Sequence, residues 1–480
     1  LNEQASPDCS GFENCISDAQ MAVLDSDIGP KDPVNFDDLM VRLEACQKNL
    51  PPLYQITASM PFINKLSLLG SDGFKNILLR DPDRVGTAGL MLDIAHALLQ
   101  VGEGYFEKST AAFQEVISDL YDGFLSSWDG KVILSPDVVG IPPLAKWGNP
   151  ESGPYTWPVG ATSAFGLMTA IVNLPPAHSR LGLLAWPVLA HETAGHDILG
   201  ANRGLAPELA NAVRNLAEKA GLSPIISKYW ADRIDETASD VMSMLNMGPA
   251  AGLGLVGYFK GANAAYNGKS KLRTLGYEDD NHPADILRGY LASSVVRLLK
   301  FNGAEGWSDY LMAETDKDAL NSTILINARV LSDKQDRTEI KRVVGDEISL
   351  DEARASADLV ANIIVRQPLI SMENHSLGDI QNWYDQDERI VETLSPLMTT
   401  AKPLPKRQAH GTYAAHAVAA AVMEAIKSDA NISLIFDRMQ GMLRDMNREN
   451  SSWGPIYVKY PSDIRALRTY TPGDDEVLLK

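Results

Sequence analysis

AWPVLAHETAGHDILG, residues 185–200, carries two histidines and an acid in one helical run, and its spacing decides how the chain is read. His191 and His196 are five residues apart, with Glu192 directly after the first. Two imidazoles on one face of a helix can share a metal ion, and a glutamate beside them can take a proton from water. The usual arrangement, H-E-x-x-H, places the histidines four apart. Five residues advance a regular helix by about 500°, roughly 140° past a full turn, so the two rings would splay. An inserted residue that widens one turn into a π-bulge would bring them back together, a device frequent at functional sites. Gly195 is the expected place for it, since glycine tolerates backbone distortion best. Pro187 is placed to open this helix and Gly200 to end it.

Working outward, FGLMTAIVNLPP at 165–176 contains a β-prone run, and Leu167–Leu174 is expected to be a strand. A strand just upstream of a metal helix could hold an extended substrate across the ion; a buried core segment is the equal alternative. Downstream, SPIISKYWADRIDETASDVMSMLNMG at 223–248 is strongly periodic and stops at Gly248. Its Glu236 and Asp240 lie one turn apart on one face. One can supply a third metal ligand, and the other can accept the free N–H of a ligand histidine. Taken alone, the pair reads as solvated helix charge. Two histidines and a glutamate leave a fourth position open for water, the catalytic arrangement of zinc. In YEDDNHPADILRGYL at 277–291, His282 and Arg288 are candidates to steady an oxyanion, with Pro283 opening a helix that carries Asp285 and Arg288 inward. A simple capped helix start is the alternative there.

The order HETAGH, DETASD, NHPADILR resembles the gluzincin zinc metallopeptidases over about residues 165–290. The H-E-x-x-x-H spacing is similar to the dipeptidyl-peptidase-III-type zinc helix, with its downstream acid pair. The H-P-x-x-x-x-R element is a secondary likeness to the HtpX-like and CAAX-prenyl-protease branch. The resemblance implies Zn2+ held by His191, His196 and Glu236. It makes Glu192 the general base, Asp240 an orienting partner, His282 and Arg288 the transition-state group, and a peptide or protein the substrate.

The remaining chain bounds this reading. At 480 residues, 45% apolar and 22% charged, it is globular with ample core. A net charge of −19 argues against nucleic acid. No apolar run reaches membrane-spanning length; the best, GPAAGLGLVGYF at 248–259, is short and glycine-rich. The expected organisation is mainly α, with a short β element beside the zinc helix. Residues 1–35 read as an extended arm and 36–160 as a helical region ending in a proline-rich loop. The catalytic core is 161–300, and 301–480 reads as a helical region and an irregular tail.

Cys9, Cys15 and Cys46 leave open a Cys9–Cys15 bridge or three free thiols. The start at Leu1, without a methionine or a signal-peptide pattern, reads as a processed product. With the cysteine-bearing leader it favours a secreted or periplasmic protein over a cytoplasmic one. Oligomeric state is not legible. His96 reads as a packed core residue. His410, Tyr413 and His416, in HGTYAAHAVAAAVMEAIK at 410–427, are candidates for an extra oxyanion donor, with core packing the better reading. Two competing functions remain. A helical HD-type metal phosphohydrolase would use His196 and Asp197 with His96 and Asp240, but lacks clustered basic residues to grip phosphate. An inactive metallopeptidase-like scaffold would have no use for Glu192.

Overall fold

The computed structural model describes residues 7–125, 141–150, 153–201, 204–320, 322–335, 338–400 and 412–449. The fold is mainly α with two small mixed sheets. In chain order it begins with helices α1 (Phe12–Leu24), α2 (Phe36–Cys46), α3 (Met60–Arg80), α4 (Thr87–Glu103) and α5 (Glu107–Leu125). Strands β1 (Leu144–Trp147), β2 (Tyr155–Trp157) and β3 (Ile171–Leu174) follow. The motif helix α6 runs through Val188–Ala190, His191–Asp197 and Ile198–Ala201. Next come α7 (Leu205–Lys219), α8 (Pro224–Asp232), α9 (Ile234–Met247), α10 (Pro249–Asn267), β4 (Leu275–Tyr277), α11 (Asp285–Arg297) and α12 (Ala304–Ala319). The chain continues with β5 (Ile324–Gln335), β6 (Thr338–Ile348), α13 (Leu350–Arg366), α14 (Asp385–Leu394), α15 (Ala414–Ala425) and α16 (Ile432–Glu449).

The first sheet has the order β1-β3-β2, with β1 parallel and β2 antiparallel to β3. It lies between two apolar cores. Leu144 and Ile171 pack into the core formed by α2, α3 and α4, whereas Ala145, Trp147, Val172 and Leu174 pack into the larger core around α6 and α9. Alternation along each strand therefore sends one set of side chains to the N-terminal layer and the other toward the motif helix.

Several expectations are corrected. The segment 1–35 is not an extended arm throughout, because Phe12–Leu24 is a helix with Phe12, Cys15, Ile16, Ala19 and Ala22 buried. These residues recur at helical spacing and pack on α10, where Gly257 and Gly261 leave room: a Cβ at Gly261 would lie 2.8 Å from Ala19 Cβ. No Cys9–Cys15 bridge forms; the three thiols are free, and Cys15 points its Sγ at Ala425 O, 3.3 Å away. The strand expected at Leu167–Leu174 is confined to Ile171–Leu174 and is central, paired on both sides, so it cannot pair with a substrate. Among the described residues, the unpaired sheet edge nearest the motif helix belongs to β2. Gly200 sits within the last helical segment instead of ending it.

Residues 301–480 are not all helical, for β5 and β6 form a long antiparallel hairpin. The β-branched runs ILINARV and EIKRVV carry it, and the acidic composition of the region masked them. The expected tail at 450–480 and His410 lie outside the described residues. Gly248 does end α9, at φ +62°, where a Cβ would meet the Trp383 ring at 2.6 Å. Among the described residues no helix is long and apolar enough to cross a membrane.

Candidate metal centre

The motif helix widens where the spacing requires it. His191–Asp197 is π-helical, flanked by α-helical turns on both sides. The extra residue restores the lost alignment: His191 Nε2 and His196 Nε2 lie 3.0 Å apart. Gly195 is needed for a reason other than backbone freedom. Its φ is not positive, but a Cβ there would fall 2.3 Å from Ser239 Cβ on α9, so glycine permits the close approach of the two helices.

That approach delivers the carboxylates. Glu236 places Oε2 3.3 Å from His191 Nε2 and Oε1 3.4 Å from His196 Nε2. Asp240 Oδ1 is 2.9 Å from His191 Nδ1, and Asp235 Oδ2 is 3.0 Å from His196 Nδ1. The earlier histidine pairs with the later aspartate, and the two aspartates, like the two histidines, are five residues apart. Asp235 was missed by the sequence reading. Its signal was available in the DE dipeptide at 235–236, which repeats the histidine spacing against Asp240.

Where each Nδ1 carries the proton and donates it to its aspartate, both Nε2 atoms present lone pairs to one another and to the Glu236 carboxylate. Glu236 Oε2 is buried without a hydrogen-bond donor. Three acceptors facing one point suit a cation. Among the described residues, His191, His196 and Glu236 are the group able to hold a metal ion, with one ligand atom each within 4.8 Å of the others. Two imidazoles oriented by carboxylates plus one glutamate form a donor set able to hold a metal ion.

The field at the site is strongly negative. Burial opposes charge on His191, yet Asp240 and Glu236 outweigh it and raise its pKa. His196 is raised well above the ordinary histidine value, with Asp235 and Glu236 again overcoming burial. Burial also disfavours ionised Glu236 and Asp240, but the two imidazoles and Arg288 hold Glu236 far below the usual carboxylate range. Arg288 and His191 do the same for Asp240.

Glu192 is buried beside the cluster, and its Oε2 accepts a 2.7 Å hydrogen bond from Thr156 Oγ1 on β2. Thr156 was also missed, because no local pattern links β2 to residue 192. His282 is half-exposed; its Nδ1 lies 2.8 Å from Asp280 and its Nε2 3.3 Å from Glu236 Oε1. Arg288 is buried, stacked at 4.7 Å on the Phe259 ring, and grips Asp240 through Nε and Nη2 at 2.7 Å each. Its guanidinium neutralises the Asp240 carboxylate and also lies 3.6 Å from Glu236 Oε2. A cavity of about 360 Å³ opens over this site, lined by His191, Glu192, His282 and Arg288, by Gly153 and Pro154 ahead of β2, and by aromatic residues of α10.

The other candidates lie apart. His96 Nε2 is 2.9 Å from Asp32, and burial pushes its pKa down to about 4. Asp197 is buried, is not part of the ligand group, and is pushed up to about 8 by desolvation, which suits a neutral acid more than a metal ligand. The ligand set of the phosphohydrolase reading is therefore not brought together. His416 has both nitrogens engaged, Nε2 with Asp387 and Nδ1 accepting from the Tyr413 N–H, both at 2.9 Å, as a packed core residue would. Comparison with family models, with curated proteins and with solved structures finds no match to this chain.

Proposed function

We propose that this protein is a zinc-dependent peptidase of the gluzincin kind, hydrolysing peptide bonds in a peptide or protein substrate with Glu192 as general base. One observation carries the proposal: two carboxylate-oriented histidines and Glu236 converge their acceptor atoms on one point directly beside a buried glutamate. Zinc held by His191, His196 and Glu236 would supply Lewis acidity, polarising the scissile carbonyl and easing the ionisation of water.

The chain's own residues supply the rest. Glu192 takes a proton from the attacking water and passes it to the departing amine nitrogen as the C–N bond breaks. Thr156 holds the Glu192 carboxylate on the cleft side of β2. His282, fixed by Asp280, lines the cleft with Nε2 beside Glu236, and as a donor there it would steady the oxyanion. Arg288 keeps Asp240 ionised, and Asp240 keeps His191 in the tautomer that exposes Nε2. The outer edge of β2 offers backbone groups to an extended substrate, the role first expected of the central strand.

The test is elemental analysis of wild type and Glu236→Ala, with hydrolysis of a mixture of internally quenched peptides followed alongside. One zinc per chain with cleavage, both lost in the variant, is the expected result. Zinc that survives the substitution, or a protein that takes up no metal, overturns the proposal.

A further inference from the structure

The short strand that touches Glu192 is itself held from behind. β2 is three residues long, closed in by Pro154 and Pro158, and hydrogen-bonded along one side only among the described residues. Such a strand has little intrinsic rigidity. Its alternation sends Thr156 toward the motif helix and Tyr155 and Trp157 toward the N-terminal layer. There a single carboxylate oxygen collects both: Asp93 Oδ2 on α4 accepts from Tyr155 Oη at 2.6 Å and from Trp157 Nε1 at 2.7 Å.

The other oxygen, Asp93 Oδ1, lies 2.5 Å from Lys146 Nζ on β1, and this lysine is 3% exposed. Lys146 Nζ also donates to Tyr155 Oη at 3.3 Å. Lys146, Asn173 and Tyr155 share one row across the sheet, and Asn173 Nδ2 donates to Tyr155 O at 3.2 Å. Burying a lysine and an aspartate is costly, and it is tolerated where both are paired and hydrogen-bonded. An apolar pair would fill this space more cheaply, but it would not tie both outer strands to α4.

We propose that Asp93, with Lys146, Tyr155 and Trp157, forms a clamp that positions Glu192 through Thr156, so that the N-terminal layer sets the geometry of the base. This rests on the peptidase reading of the metal centre. None of the four touches the ligand group; they are positioning residues. A carboxylate that must meet a water at one place gains from a neighbour fixed to within a fraction of an ångström.

The test uses the full chain loaded with Co2+, whose visible spectrum reports the surroundings of the metal. The variants are Tyr155→Phe combined with Trp157→Phe, which keeps the rings, and Asp93→Leu combined with Lys146→Met, which removes the charges together. Each is expected to raise amide exchange of β2 at least tenfold and to alter the Co2+ spectrum as Thr156→Val does. On a Glu192→Ala background the spectral change is expected to vanish. Unchanged exchange, an unchanged spectrum, or the same spectral change without Glu192 overturns the clamp. A protein that binds no Co2+ at all overturns the metal centre and the clamp with it; metal uptake with an unresponsive spectrum overturns the clamp alone.

Discussion

His191 and His416 are both buried histidines held at 2.9 Å by an aspartate, and both sit on well-packed helices. They differ in what the second nitrogen does. At His416 it accepts the Tyr413 N–H, closing the helix start, and nothing remains to offer. At His191 it faces another imidazole and a carboxylate with no donor between them. Burial and an aspartate partner therefore do not make a metal ligand. A ring nitrogen left over, and aimed at others like it, makes a candidate for one.

The contrast can be broken most sharply by exchanging alanine for each histidine. His191→Ala is expected to abolish metal uptake and peptide cleavage. His416→Ala keeps one metal per chain, and elemental analysis with the quenched-peptide assay separates the two. A His416→Ala protein that is folded but metal-free would erase the distinction. Asp240→Ala is expected to be the next largest effect. It lowers metal affinity by about 10- to 100-fold and destabilises by roughly 3–5 kcal/mol, because Arg288 is left buried without its partner. Competition with a chelator and chemical unfolding read the two losses.

His416→Ala itself should cost about 1–3 kcal/mol without touching the metal, since Asp387 and the Tyr413 amide lose their shared partner. His96 extends the contrast to pH. Its folded pKa, down at about 4, lies below the unfolded value, so its contribution is full above pH 6.5 and is lost as pH falls toward 4. In His96→Asn the decline in unfolding free energy across that window should shrink by roughly 2–3 kcal/mol. Asp235→Asn is the smallest expected effect, a few-fold loss of metal affinity, because its side chain is 62% exposed and water can replace it.

The sequence disclosed those parts of the site that lie on periodic helices. The five-residue gap between His191 and His196 required a widened turn, and the helix has one. Glu236 and Asp240 followed from faces one turn apart and Arg288 from the H-P-x-x-x-x-R element; the structure brings the two acids to the histidines and Arg288 to the acids. What escaped lies across sheet or layer boundaries. Thr156 and Asp93 sit 36 and 62 residues from the partners they serve, and no local pattern encodes such contacts. The hairpin at 324–348 escaped for another reason: charged residues interleave its β-branched positions and resemble an exposed helix. Arg288 shows the limit of a motif, which says which residue is near and not which atom it grips.

The matched spacing of His191 and His196 against Asp240 and Asp235 works like two racks cut to the same pitch. Shortening one rack alone, for example by deleting Gly195 to recover a four-residue gap, would leave one histidine facing no tooth. The unusual motif is thus a property of two helices at once, and a return to the common spacing in one alone would cost the site one of its two orienting aspartates.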